Sequence, residues 1–373
     1  MPDPQEQLNN LFEQLSEEAK QDQASRGGTT FDKVSVSLPV LREREREYTD
    51  IEKQFVRREG WLAAAHEVCK ENKRPLRYLT LPAYYRLDVA LFLKEDLLAV
   101  TPRDGRNVAS VVAFETEPER YARMAGLDPA FQLFALGKIE DALLDSGNGH
   151  YQDLLAAFPF DLVNLDLTSS LTPKHQGPYS RIMQAVDTVL HRQSSHPGLW
   201  GLFLTFRNVP DEWEPNAYQQ FKENLQSNID DYAKVKEIFH KRYGTIRVDE
   251  LDRELPQTAI SQAVLKWLVD AAHRNGMHLA KNFSYEYVRY NEGVPPYKIT
   301  KHIVLFRRGA VSAVEIPFKK PARQSWMDDD LVLCVDRHKP VDVAERLLTL
   351  TDRVPDALDK IIAEITDLCQ PVA

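Results

Sequence analysis

The stretch FDLVNLDLTSSL, residues 160–171, carries a carboxylate near each end of a short apolar run. Leu162 and Val163 read as part of a buried strand, and Asp166 stands where that strand should end. In an open parallel α/β sheet, ligands bind outside the carboxyl ends of the strands. Asp166 and the neighbouring Asn164 are therefore candidates for contact with a ligand. The plain alternative is a carboxylate that caps the next turn or helix. A second acid of this kind is Glu115, at the tip of VVAFE, with Glu117 two residues on. Its plain alternative is a charged first helical turn.

A different chemistry is written between Ala272 and Ser325. Ten Lys and Arg residues stand there against three acids, a local +7 in a chain of net charge −9. Lys281, Arg289, Lys298, Lys301, Arg307 and Arg308 alternate with Phe283, Tyr285, Tyr287, Tyr290, Tyr297 and Phe306. Cations interleaved with aromatics suit a phosphate backbone with unstacked bases, so RNA or DNA is a candidate partner. The same residues also suit a solvated sheet edge protected from aggregation. The ten histidines and three cysteines show no metal-ligand spacing. His66 and Cys69 share a helical face, but two ligands do not make a site.

These residues need elements to hold them. Leu8, Leu11, Phe12, Leu15 and Ala19 fall on one helical face. A long helical stretch runs from about 41 to 72, after a polar break at Gly27-Gly28. Residues 1–75 thus read as a helical N-terminal extension, suited to a protein partner. From 76 the texture changes to short apolar runs at 76–82, 108–115, 132–137, 161–166 and 199–206, each followed by a helical pattern. Strands alternating with helices predict βαβ units and a mostly parallel sheet. Two further helices are expected at roughly 215–243 and 258–275. A late antiparallel pair, 277–290 and 297–309, is joined across NEGVPPY. His302, mid-strand beside Lys301, is expected in a sheet exposed on one face. Residues 76–310 form the α/β domain, and 311–373 a C-terminal extension with a helix at about 341–368. No apolar run reaches a membrane span of about 18 residues. The N-terminus has neither the basic nor the apolar region of a signal peptide. Three widely spaced cysteines predict a reducing cytoplasm.

Five strand–helix units followed by an antiparallel pair resemble a class I S-adenosylmethionine-dependent methyltransferase. The likeness covers about 76–309 and implies a Rossmann-like fold, with S-adenosylmethionine as cofactor. VVAFETEPE resembles the second motif, so Glu115, or Glu117, would hold the ribose hydroxyls; a carboxylate can accept from two vicinal hydroxyls. LGKIEDALL resembles the third, with Glu140 or Asp141 beside the adenine. NLDLTSSL is similar to the fourth motif of tRNA guanine-N2 dimethyltransferases, so Asp166 would accept from, or orient, an exocyclic amine. Here the usual Pro-aromatic is replaced by Leu167 and Thr168. The first motif is the most divergent. No glycine lies between Gly60 and Gly105, and Pro82, Tyr84 and Tyr85 occupy the cofactor turn. The resemblance therefore implies two functions. One is methyl transfer to a nitrogen, with nucleic acid favoured as acceptor. The other is a methyltransferase-like subunit that binds or assembles without catalysis. On either, Asp166 is expected in a cleft beside the strands at 76–82 and 108–115. Its donors would come from Thr168, Ser169, the loop amides, Tyr84 or Tyr85.

Overall fold

The computed structural model describes residues 51–309, apart from 83–84, 168, 178, 251–255 and 292–293. Of the C-terminal segment it describes 341–343, 346, 360, 363, 364 and 368. The helix expected at 5–20 and the start of the one at 41–72 lie outside these residues.

One continuous helical segment comes first: α1 (Ile51–Val56), a π-helical turn (Arg57–Leu62) and α2 (Ala63–Asn72). Then follow β1 (Tyr78–Thr80), α3 (Leu87–Lys94), β2 (Val100–Arg103), β3 (Arg106–Glu115), α4 (Pro118–Ala125) and β4 (Ala130–Leu136). After these come α5 (Ile139–Leu144), α6 (Tyr151–Ala157), β5 (Leu162–Asp166), α7 (Arg181–Gln193) and β6 (Trp200–Arg207). The chain continues through α8 (Pro215–Asp231), α9 (Ala233–Tyr243), α10 (Pro256–Arg274), β7 (Met277–Asn291), β8 (Val294–Arg308) and β9 (Val341–Asp342). The fold is mixed α/β around a mostly parallel central sheet.

β4, β3, β1, β5 and β6 lie side by side and run parallel. Their order reverses between β1 and β5, the place where such a sheet opens a crevice at its carboxyl edge. β8 adds antiparallel to β6 and β7 antiparallel to β8, which is the expected late pair. β2, absent from the sequence reading, forms an antiparallel hairpin with β3 across Asp104-Gly105. No helix among the described residues is long and apolar enough to cross a membrane.

Two cores sandwich the sheet. One face carries Val112, Val163, Leu165, Leu202 and Val304 under α5–α10. The other carries Tyr78, Val111, Leu162, Phe203 and Ile303, covered by α1, α2 and α3. Residues 51–72 are thus packed on the sheet itself, with Trp61, Ala65 and Val68 in its second core.

His302 departs from expectation. β8 has a strand on either side and a core on each face, so His302 is fully buried. It shares a hydrogen bond with Ser284 Oγ at 2.9 Å and packs against Phe206. Burial disfavours its charged form and pushes its pKa down to about 3. Because the folded value is depressed, the fold prefers neutral imidazole. That stability is complete above the unfolded pKa of about 6.5 and is lost as pH falls below it. Urea unfolding should therefore lose about 1.4 kcal/mol from this group between pH 7.5 and 5.5. In His302→Gln that part of the pH dependence should disappear; an unchanged slope would mean that other groups carry it.

Candidate functional site

Strand alternation decides where Asp166 points. Val163 and Leu165 enter the core under α5–α10, and Leu162 enters the core under α1 and α2. Asn164 and Asp166 share the side of Leu162. Asp166 therefore ends β5 facing the N-terminal helix. There Lys53 Nζ lies 2.5 Å from one carboxylate oxygen, and Lys301 Nζ lies 3.5 Å from the other. Both lysines are buried. Lys301 Nζ sits 4.6 Å from the Trp61 ring centre and 5.9 Å from that of Tyr287. Trp61 in turn stacks on Phe203 at 5.7 Å and 11°. Burial works against charge on Asp166, but Lys301, Lys53 and Arg57 outweigh it and hold the carboxyl well below the usual carboxylate range. The expected donors were hydroxyls, loop amides or tyrosines; the donors found are two amines from distant segments.

The helix reaches this edge through two local features. The π-turn at Arg57–Leu62 keeps Arg57, Gly60, Trp61 and Leu62 all buried. Such turns are rare and concentrate at functional sites. Gly60 lets the backbone press on the sheet, since a Cβ there would lie 2.5 Å from Ile303 Cδ1 and 2.9 Å from Tyr285 Cε2. The segment is also held by Glu364, which accepts from Gln54 of α1 at 2.9 Å and pairs with Arg58 of the π-turn at 2.5 Å.

Beside Asp166, the reversal of strand order is filled by the chain's own groups. Asp88, buried in the first turn of α3, accepts from Tyr78 Oη at 2.6 Å and Thr80 Oγ1 at 2.7 Å. Asn164 Nδ2 reaches the same carboxylate oxygen at 3.4 Å and Thr80 Oγ1 at 3.3 Å. Burial and the adjacent Asp88 hold the Tyr78 hydroxyl well above its ordinary pKa, so it stays a donor. Pro82 is buried, Tyr84 lies outside the described residues, and Tyr85 sits beneath the Arg123 guanidinium.

The acids assigned by resemblance to a cofactor are placed as follows. Glu115 ends β3 and is buried, but its carboxylate accepts from its own turn, the Glu117 amide at 2.9 Å. Burial raises its pKa. Glu117 stands at the N-terminus of α4 and pairs with Arg120. Glu140 and Asp141 lie in the first turn of α5, and Asp141 pairs with Arg181 at the start of α7. These acids flank the same carboxyl edge, yet Glu115, Glu117 and Asp141 are engaged by the chain's own groups.

The basic segment is also largely spent internally. Lys281 pairs with Glu67, Arg307 with Glu71 and Lys298 with Glu286. Lys301 was expected among the cations that face a nucleic acid. It is instead buried against Asp166, because the chain needs its charge there. Arg289 is half-buried and Arg308 exposed. No cluster able to hold a metal occurs among the described residues.

A family model described as PP_RS20740-like matches residues 138–294. The match runs from α5 into the β7–β8 hairpin, less than half of the chain, and its description names no activity. It takes in Asp166 but neither Lys53 nor Lys301. No curated protein matches the chain.

The sequence reading left Lys53 unmentioned and gave Asp161 no role beyond opening its strand. Asp161, at the other end of β5, accepts from Asn72, from both terminal nitrogens of Arg74, from the Arg77 amide and from His196. Burial acts to raise its pKa, and His196, the Arg77 amide and Arg74 more than reverse it. The acids of β5 therefore hold the N-terminal segment at both ends. Asp166→Asn would remove a buried charge that faces Lys53, Lys301 and Arg57, a loss of about 3–5 kcal/mol. Urea denaturation at neutral pH measures it, and a change below about 1 kcal/mol would show that the cluster is solvated.

Proposed function

We propose that this chain is a binding or assembly module on a methyltransferase-like α/β sheet, and that it does not transfer a methyl group. The observation that carries the reading is the Lys53–Asp166 contact: the carboxylate best placed to receive an acceptor amine already holds one from the chain itself. Two further features support it. The turn after β1 has no glycine to admit a cofactor backbone-close, and Asp88, Thr80, Tyr78 and Asn164 bond to one another at the point where strand order reverses. A Rossmann-type order of parallel strands, followed by an antiparallel pair, supports descent of the sheet from a cofactor-binding fold.

The second reading is S-adenosylmethionine-dependent methylation of a nitrogen, with nucleic acid as acceptor. Glu115 favours it, since a buried acid at the tip of β3 stands where a ribose would be held. One titration separates the two. Calorimetry with S-adenosylmethionine should give no saturable heat at millimolar ligand, and RNA or DNA should gain no labelled methyl group. Saturable micromolar binding, weakened about 1–3 kcal/mol by Glu115→Ala, would overturn the first reading in favour of the enzyme.

A further inference from the structure

What Asp166 recognises is written in the groups around it. Its carboxylate is ionised, nearly enclosed and within 3.5 Å of two primary amines. The rings of Trp61 and Tyr287 stand beside one of those amines at 4.6 and 5.9 Å. Carboxylate and ring faces together hold the Lys301 ammonium, by charge and by the ring quadrupole, which is the chemistry that binds a primary amine in its charged form. Thr205 adds an independent sign. It is the register partner of both Asp166 and Lys301, so its side chain shares their face. It is buried, and its hydroxyl has no hydrogen-bond partner among the described residues. The Asn164 Oδ1 atom, one pleat back on the same side of β5, is buried and likewise has no partner among the described residues. Two idle polar atoms beside an occupied carboxylate suit a site that takes a larger polar guest than the one it now holds.

The two amines differ in tether. Lys301 belongs to a central strand. Lys53 belongs to α1, a helix that lies outside the strand ladders and is joined to the sheet by side chains, with Glu364 accepting from its Gln54 and pairing with Arg58 of the π-turn. We propose that the carboxyl end of β5 is a primary-ammonium site whose resting occupant is Lys53, a ligand built into the chain, and that an external primary ammonium displaces it. The inference deepens the binding reading and rests on it, naming the class of group bound. Its test needs no S-adenosylmethionine, so methyl transfer could be found, and the reading lost, while this site still bound an amine.

The probe is n-butylamine hydrochloride, with tetramethylammonium chloride at equal ionic strength as control, on the full chain. Lys53→Ala empties the position. It should bind n-butylamine saturably at one per chain, and adding Asp166→Asn should weaken that binding at least tenfold. Folded Lys53→Ala without saturable binding, or binding that survives Asp166→Asn, would overturn the assignment. Displacement is read on the unaltered chain and on Glu364→Ala by hydrogen exchange over residues 51–62. Millimolar n-butylamine should speed exchange there, more so in Glu364→Ala, while tetramethylammonium should not. Equal exchange with both salts would make Lys53 a permanent part of the core and sink the proposal, even if Lys53→Ala failed to fold.

Discussion

A carboxylate stays charged at a nearly buried strand end only if cations follow it there. Removing one charge from water costs several kcal/mol, and a partner in contact is what offsets it. At Asp166 the partners are Lys53 and Lys301, one from a helix that precedes the sheet and one from its penultimate strand. Much else follows from that requirement. The N-terminal helix must cross the sheet face closely enough for a lysine to arrive, which calls for Gly60 against Ile303 and Tyr285. The cation on β8 must lie inward, which places it over Trp61, and Trp61 over Phe203.

The other end of β5 repeats the logic with different donors. Asp161 is fully buried and takes the Asn72 amide, the Arg74 fork and His196. An acid at each end of one central strand thus holds one segment, α1 through the start of β1. Hydrophobic burial supplies the bulk of the attraction between helix and sheet. It is non-directional, however, and leaves the helix free to slide. The two acids fix its position, because each is costly to leave without its own partners.

This division explains what could be read from the sequence. The runs 108–115, 161–166 and 199–206 fall within a residue or two of β3, β5 and β6, because short apolar segments bounded by breaks have few other uses. Asp166 was recognisable as a strand-end acid for the same reason. Its partners were not. Lys301 stands 135 residues further along, in a strand buried on both faces. Such a strand shows no alternation to reveal which cation turns inward. Lys301 and His302 therefore looked like an exposed face, when both are interior. Lys53 follows a run of surface-like charge, and nothing local distinguishes it from Arg58, which remains half-exposed. The β2–β3 hairpin was marked by Asp104-Gly105, a pair suited to tight hairpin turns. Its flanking strand, Val100–Arg103, is exposed throughout and lacks a hydrophobic pattern.

Fold-level likeness and site-level chemistry part company at this edge. The order of the parallel strands leaves a crevice at β1 and β5 in any chain that adopts it. What occupies the crevice is decided residue by residue. Here Thr80, Asp88 and the Asn164 amide nitrogen bond to one another, and Asp166 is held by a lysine of the N-terminal helix and one of β8. A polar cleft that has become its own ligand gains rigidity, and ligand binding must then compete with an internal contact already at high effective concentration. An intramolecular amine at that concentration can be displaced only if the helix bearing it is held more weakly than the strands beneath it. Among the described residues α1 is joined to the sheet by side chains, with Phe55 and Val56 in the second core and Lys53 on Asp166, whereas β5 and β6 are joined along their length by backbone hydrogen bonds.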